Sequence, residues 1–175
     1  MTEKQQTELF LKVKDFSVSH KEFSLYKDVS IDLLATFPQP SSDELGSYYE
    51  SEDYISHTDS ARSWFEKIYQ LIKKTAIQQK LKLVLSEHNN HGVLLDIGCG
   101  TGDFLAAAKD SGWKIKGYEP NEKARNIAQK KGVELTHSTQ DLTENSVDVI
   151  TMWHVLEHVP DVKQQIAELK RLIKP

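Results

Sequence analysis

The chain has 175 residues with 38% hydrophobic and 27% charged, which allows one domain with a real core and a small appendage and leaves no apolar run long enough for a membrane span. A net charge of −4 without a run of Lys and Arg argues against a nucleic-acid partner, and one cysteine, Cys99, excludes a disulfide framework or a cysteine-rich zinc site. The polar start, Met1 to Gln6, lacks a signal-peptide core, so the expectation is a cytoplasmic protein with no membrane partner.

Residues 1 to about 40 read as a hairpin appendage. Phe16, Val18, Phe23 and Leu25 alternate with polar residues, and Val29, Ile31 and Leu33 do the same. Phe37-Pro38-Gln39-Pro40-Ser41-Ser42-Asp43 breaks regular structure and sets a boundary at 40/41. A polar segment with Tyr48, Tyr49, Tyr54 and His57 follows. From Asp59 or Ser60, either of which can cap a helix, Ala61, Trp64, Phe65, Ile68, Leu71, Ile72 and Ala76 keep helical spacing. The pattern continues through Leu81, Val84 and Leu85 and stops at Asn89-Asn90-His91-Gly92, with Trp64 and Phe65 assigned to the core.

Val93-Leu94-Leu95-Asp96-Ile97 is a short branched apolar run that enters Gly98-Cys99-Gly100-Thr101-Gly102-Asp103 and then the helix-favouring Phe104 to Ala108. Strand, glycine turn and helix follow one another. A chain reversing at the carboxyl end of a buried strand needs residues that tolerate positive φ, and the helix start behind it offers free amides, a corner suited to a nucleotide-like ligand. A dinucleotide fingerprint reads G-x-G-x-x-G, whereas here the third glycine comes one residue early. Cys99 is read as a small residue filling the turn.

Leu95-Asp96-Ile97-Gly98-Cys99-Gly100-Thr101-Gly102 resembles the first motif of class I S-adenosylmethionine-dependent methyltransferases. The resemblance implies S-adenosylmethionine as cofactor, with Asp96, Gly98, Cys99, Gly100 and Gly102 around it. It also implies an α/β fold, a partial Rossmann-like doubly wound parallel sheet of strand order 3-2-1-4 with helices before it. The amino-terminal part is similar to a bacterial subgroup in which a cysteine-bearing zinc knuckle precedes a Pro-x-Pro turn. Lys27, Asp28, Ser30 and Ile31 stand where the metal pair would fall, so a metal-free remnant over 1–40 is expected. In that family the segment before the core closes over the cofactor. Tyr49, Tyr54 and His57 are then lid residues within a helical lid at 41–90, the other reading being plain surface structure.

Beyond the glycines, Thr101 to Ser111 is read as the first crossover helix, closed by Gly112, and Trp113 to Tyr118 as the second strand. Glu119, with Pro120 after it, ends that strand where doubly wound folds place the acid that takes ribose hydroxyls. Asn121 caps the next helix, Gly132 ends it, and Val133 to Thr136 is the third strand. The family's adenine contacts map by register to Ser138 and Thr139, with Asp141 as a substitute acid. Strand four, Val147 to Met152, brings Met152 and Trp153 to the ligand end of the sheet.

Trp153 to Asp161 resembles the post-strand motif of small-molecule methyltransferases. His154 and His158, four apart, are placed on one helical face as core histidines or as a general base, with a metal pair disfavoured because the acid between them is Glu157. Val162, Ile166, Leu169 and Ile173 mark a last amphipathic helix. A class I domain continues with three more strands, so the sequence reads as truncated, with strand four an exposed edge that invites homodimerisation. The function implied is methyl transfer to O, N or C of a small molecule. A catalytically silent cofactor-fold binding module is the alternative, and a nicotinamide oxidoreductase shares the architecture but fails on glycine spacing.

Overall fold

The computed structural model describes residues 7–16, 19–39 and 64–175, with backbone alone for 64–69. The chain divides into two compact units, Met1–Ala61 and Arg62–Pro175. In the first, β1 (Thr7–Lys14), β2 (Glu22–Asp28) and β3 (Leu33–Phe37) form an antiparallel sheet in that order. The hairpin expectation holds, but the strand limits differ. β1 precedes the predicted run, Phe16 lies beyond it, and Val29 and Ile31 belong to the β2–β3 turn. A register shift between Leu9 and Leu11 interrupts the alternation on which β1 would have been recognised. The turn where the knuckle's metal pair would fall is closed by polar contacts. Asp28 accepts from the Ser30 N–H at 2.9 Å, and Lys27 pairs with Asp32 at 2.6 Å.

The second unit begins with α1 (Trp64–Glu87), followed by β4 (Val93–Ile97), α2 (Asp103–Asp110), β5 (Lys114–Tyr118), α3 (Glu122–Lys130), β6 (Leu135–Thr136), β7 (Val149–Thr151) and α4 (Val162–Leu172). Its four strands are parallel in the order β6-β5-β4-β7, which is the 3-2-1-4 order expected. Alternation along β4 divides the core. Leu94 joins Leu81, Val84, Leu105, Ala108 and Ala128 on one face, while Leu95 and Ile97 join Val147 and Leu172 on the other. The crossover helices α2 and α3 thus share a face with α1, and α4 covers the opposite face.

α1 is one continuous helix that carries the expected helical spacing through Leu81, Val84 and Leu85. β6 and β7 are shorter than predicted. The start of strand four is no open edge either. Val147 bridges Ile173 in parallel, with the Val147 N–H donating to Leu172 O at 3.1 Å and the Lys174 N–H to Val147 O at 2.9 Å. Asn121 caps α3 as predicted, its side chain accepting from the Ala124 N–H at 3.0 Å. Among the described residues no helix is long and apolar enough to cross a membrane.

Candidate functional site

The corner after β4 is built by bonds within the protein. Tyr118 O receives the N–H groups of both Gly98 and Cys99, at 2.7 and 3.1 Å, and Cys99 O receives that of Gly102 at 3.0 Å. The Gly100 N–H donates to Glu119 Oε2 at 2.8 Å, and the Asn121 N–H donates to Glu119 Oε1 at 2.9 Å. Glu119 is 5% exposed, so the acid at the end of β5 clasps the loop that ends β4. The expectation of free amides is therefore corrected for these four residues. A tight turn against a parallel neighbour satisfies its own donors, because a buried unpaired N–H is costly.

The glycines have different surroundings. A Cβ at Gly98 would collide with Val155, whose side chain packs against that position. Gly100 has no atom within 4 Å of a Cβ position and is the open point of the corner. Gly117, opposite Asp96 on β5, leaves the space that the Cys99 sulfur fills. Burial, followed by the charges of Asp96 and Glu119, pushes the Cys99 thiol up to about 12, which leaves it a packing residue at neutral pH.

Asp96 lies beside Thr151 by the register of β4 and β7, and the Thr151 hydroxyl donates to Asp96 Oδ1 at 2.7 Å. Burial drives the Asp96 carboxyl up to about 7, against the hydrogen bond from Thr151 and the charge of Lys80. Lys80, on α1, sits 4.5 Å from the centre of the Trp153 ring, which packs edge-on against Phe104 with centroids 5.7 Å apart. Met152 packs into the cluster of Leu95 and Ile97.

At the start of α2, Asp103 binds Lys73 of α1 and Lys131, just past α3, each at 2.9 Å, and accepts from the Thr101 hydroxyl at 2.6 Å. Burial raises the Asp103 carboxyl, but the hydrogen bonds from Thr101, Lys131 and Lys73 outweigh it and carry it down to about 2. Because the folded value lies below the unfolded one, the stabilisation is present above pH ~4 and fades as pH falls toward 2. Asp103→Asn is expected to lower stability at pH 7 by about 1–2 kcal/mol, with the deficit shrinking at pH 3 in urea titrations. A deficit that does not change with pH would refute this account.

The remaining predicted residues scatter. Ser138 accepts from the Gln140 N–H at 3.2 Å and starts the short turn Thr139–Asp141, where Thr139 O accepts from Arg171 at 3.1 Å. An open depression of about 290 Å³ lies nearby, lined in part by Leu135, Thr136, His137 and Leu142 and not by Gly100. Pro120 is exposed. Tyr49, Tyr54 and His57, with residues 41–63 of the expected lid, lie outside the described residues, while the rest of that span is α1 and the turn after it, with Leu81 and Val84 in the core.

His154 and His158 do not share a helical face. His154 has φ of 57° and a side chain 90% exposed, its Nδ1 3.7 Å from Glu157 Oε1, while exposed His158 ends the short turn Leu156–His158. The core reading of these histidines is overturned. The left-handed turn at His154 is what swings Val155 back over Gly98.

Lys80, Thr151 and Arg125 were missed from the sequence. Arg125 donates to Glu119 O at 3.1 Å and Thr136 O at 3.3 Å, tying the ends of β5 and β6 together. The one available signal was that Arg125 falls four residues after the predicted cap Asn121.

A family model described as a methyltransferase domain matches residues 69–175. The ubiquinone biosynthesis O-methyltransferase of Coxiella burnetii is 28% identical over 137 residues, covering 72% of this chain and 58% of that protein. The protein of the same name from Cronobacter sakazakii is 34% identical over 92 residues, covering 47% of this chain and 38% of its own length. The chain thus spans little more than half the length of the first of these relatives. Among solved structures, the magnesium protoporphyrin IX methyltransferase from Synechocystis, solved with bound S-adenosylmethionine, is 18% identical. It aligns with a TM-score of 0.57 over 77% of this chain and 74% of its own, a likeness of fold.

Proposed function

This chain belongs to the methyltransferase-domain family, and from that premise we propose that its glycine corner binds S-adenosylmethionine for methyl transfer to a nucleophilic O, N or C of a small molecule. The observation that carries the reading is the polarity of the corner. The amides of Gly98, Cys99, Gly100 and Gly102 are engaged within the protein, while two buried acids, Asp96 and Glu119, stand on either side. A pyrophosphate would meet negative charge where a dinucleotide site offers amide donors. A ribose diol and a sulfonium cation instead meet acceptors and favourable charge.

The residues fit such a ligand. Each oxygen of Glu119 holds one backbone N–H and keeps a lone pair for a ribose hydroxyl. Gly100 gives the ligand a place to lie against the backbone. Bound S-adenosylmethionine supplies a methyl group on positively charged sulfur, which is already electrophilic. The protein's share is alignment of the acceptor and exclusion of water. The names of the relatives direct the choice of acceptor toward oxygen. A hydroxyl acceptor must lose a proton, and exposed His154, with Glu157 beside its ring, is the base we assign to it.

Isothermal titration with S-adenosylhomocysteine tests the cofactor reading. Saturable 1:1 binding is expected, with no heat from NADH. A folded protein that ignores S-adenosylhomocysteine, or that takes NADH in its place, would overturn the proposal.

A further inference from the structure

Resting on that cofactor reading, we propose that Arg171 of α4, oriented by Glu168, is a positioning residue for base recognition, because it sets the turn after β6 that meets the nucleobase. The order of the sheet decides where the base goes. Glu119 ends β5, between β4 and β6. A nucleoside with its ribose on Glu119 and its sulfur arm over the glycine corner of β4 carries its base on the other side of the sugar, toward the end of β6. The backbone that follows β6 there leads into the short turn Thr139–Asp141, and half-buried Ser138 and Thr139 then meet the edge of the base.

That turn has little of its own to hold its shape. β6 has two residues, and none of the three turn residues is buried. Within the turn, the Leu142 N–H donates to Thr139 O at 3.1 Å and the Gln140 N–H to Ser138 Oγ at 3.2 Å, bonds of the tight kind that hold short helical turns poorly.

The missing support comes from α4. Arg171 Nη1 donates to Leu142 O at 2.9 Å and Nη2 donates to Thr139 O at 3.1 Å, so one planar group grips the carbonyls at both ends of the turn. Glu168, one helical turn earlier, fixes that group by accepting from Nε and Nη2, each at 2.8 Å, and it also takes the Thr139 hydroxyl. The helix itself does not depend on this clamp. Leu172 is fully buried, and the carbonyls of Arg171 and Leu172 receive the N–H groups of Asn145 and Ser146. Removing the guanidinium therefore frees the turn and leaves α4 docked.

The test compares two ligands that differ only at the edge of the base, S-adenosylhomocysteine and S-inosylhomocysteine, in which a carbonyl replaces the amino group. Wild-type protein is expected to prefer the adenosyl ligand about tenfold by titration calorimetry. In Arg171→Met the preference is expected to fall to within twofold, and in Glu168→Gln, the milder variant, to fall part of the way. Urea midpoints show whether each variant is folded. A tenfold preference retained in the folded variants would overturn the assignment, even where both affinities fall together, since that is what a purely structural role produces. The absence of any preference in wild-type protein would overturn it without recourse to a variant. Wild-type protein that binds neither ligand sinks the cofactor reading itself, a result distinct from equal binding of both.

Discussion

Glu119→Gln is expected to weaken S-adenosylhomocysteine binding by about 100-fold, the largest single loss at the site. Glu119 serves two purposes with one charge. It closes the glycine loop through the Gly100 N–H and the Asn121 N–H, and it presents the remaining lone pairs to the ribose. A glutamine has one acceptor oxygen and one amino group. Whichever way its amide is turned, an N–H of the loop faces another donor, and one hydroxyl loses its acceptor. Two hydrogen bonds to a charged acceptor amount to about 3 kcal/mol, hence the estimate. Titration calorimetry measures the loss, and urea unfolding separates it from a collapse of the fold. Affinity unchanged within twofold would show that the acid is no part of the site.

Gly102→Ala is expected to cost about 2–5 kcal/mol of stability, a large share of what holds a domain this size together. Two costs add. The residue has φ of +75°, where a side chain is strained by roughly 1–2 kcal/mol. Its Cβ would also stand 2.8 Å from Ala128 Cβ, 2.9 Å from Val133 Cγ2 and 3.1 Å from Ala128 Cα, which is overpacking worth about 1–3 kcal/mol. Because one of those atoms is backbone, rotamer changes cannot relieve the clash. Gly100→Ala is the internal control. It carries the strain of positive φ but meets nothing within 4 Å, so it should fold better than Gly102→Ala while filling the space kept for ligand. Urea midpoints for the two variants give the ranking, and a Gly102→Ala midpoint equal to wild type would contradict it.

The contrast between these glycines shows what the sequence could reveal. Spacing marked Gly98, Gly100 and Gly102 as a ligand corner, because a chain that turns at the end of a buried strand has few residue types that fit. The place of Glu119 beside that corner was legible for a related reason: topology fixes what sits at the end of the second strand. Asn121 was legible because a cap is a local bond spanning three residues. The roles within the corner were not legible. That Val155 covers Gly98 depends on a left-handed residue at His154, which nothing nearby in the sequence demands.

Contacts across the sheet were hidden for the same physical reason. Thr151 meets Asp96 across 55 positions through the register of two parallel strands, and Lys80 reaches Trp153 across the packing of a helix on the sheet. The two histidines failed differently. Helical spacing was assumed where the backbone forms an irregular turn, so residues four apart did not become neighbours.

The most direct test of the account is a crystal structure with S-adenosylhomocysteine bound. Both ribose hydroxyls are expected on the Glu119 carboxylate, with the sugar against Gly100. Adenosine bound elsewhere, with Glu119 holding only the Gly100 and Asn121 N–H groups, would contradict it.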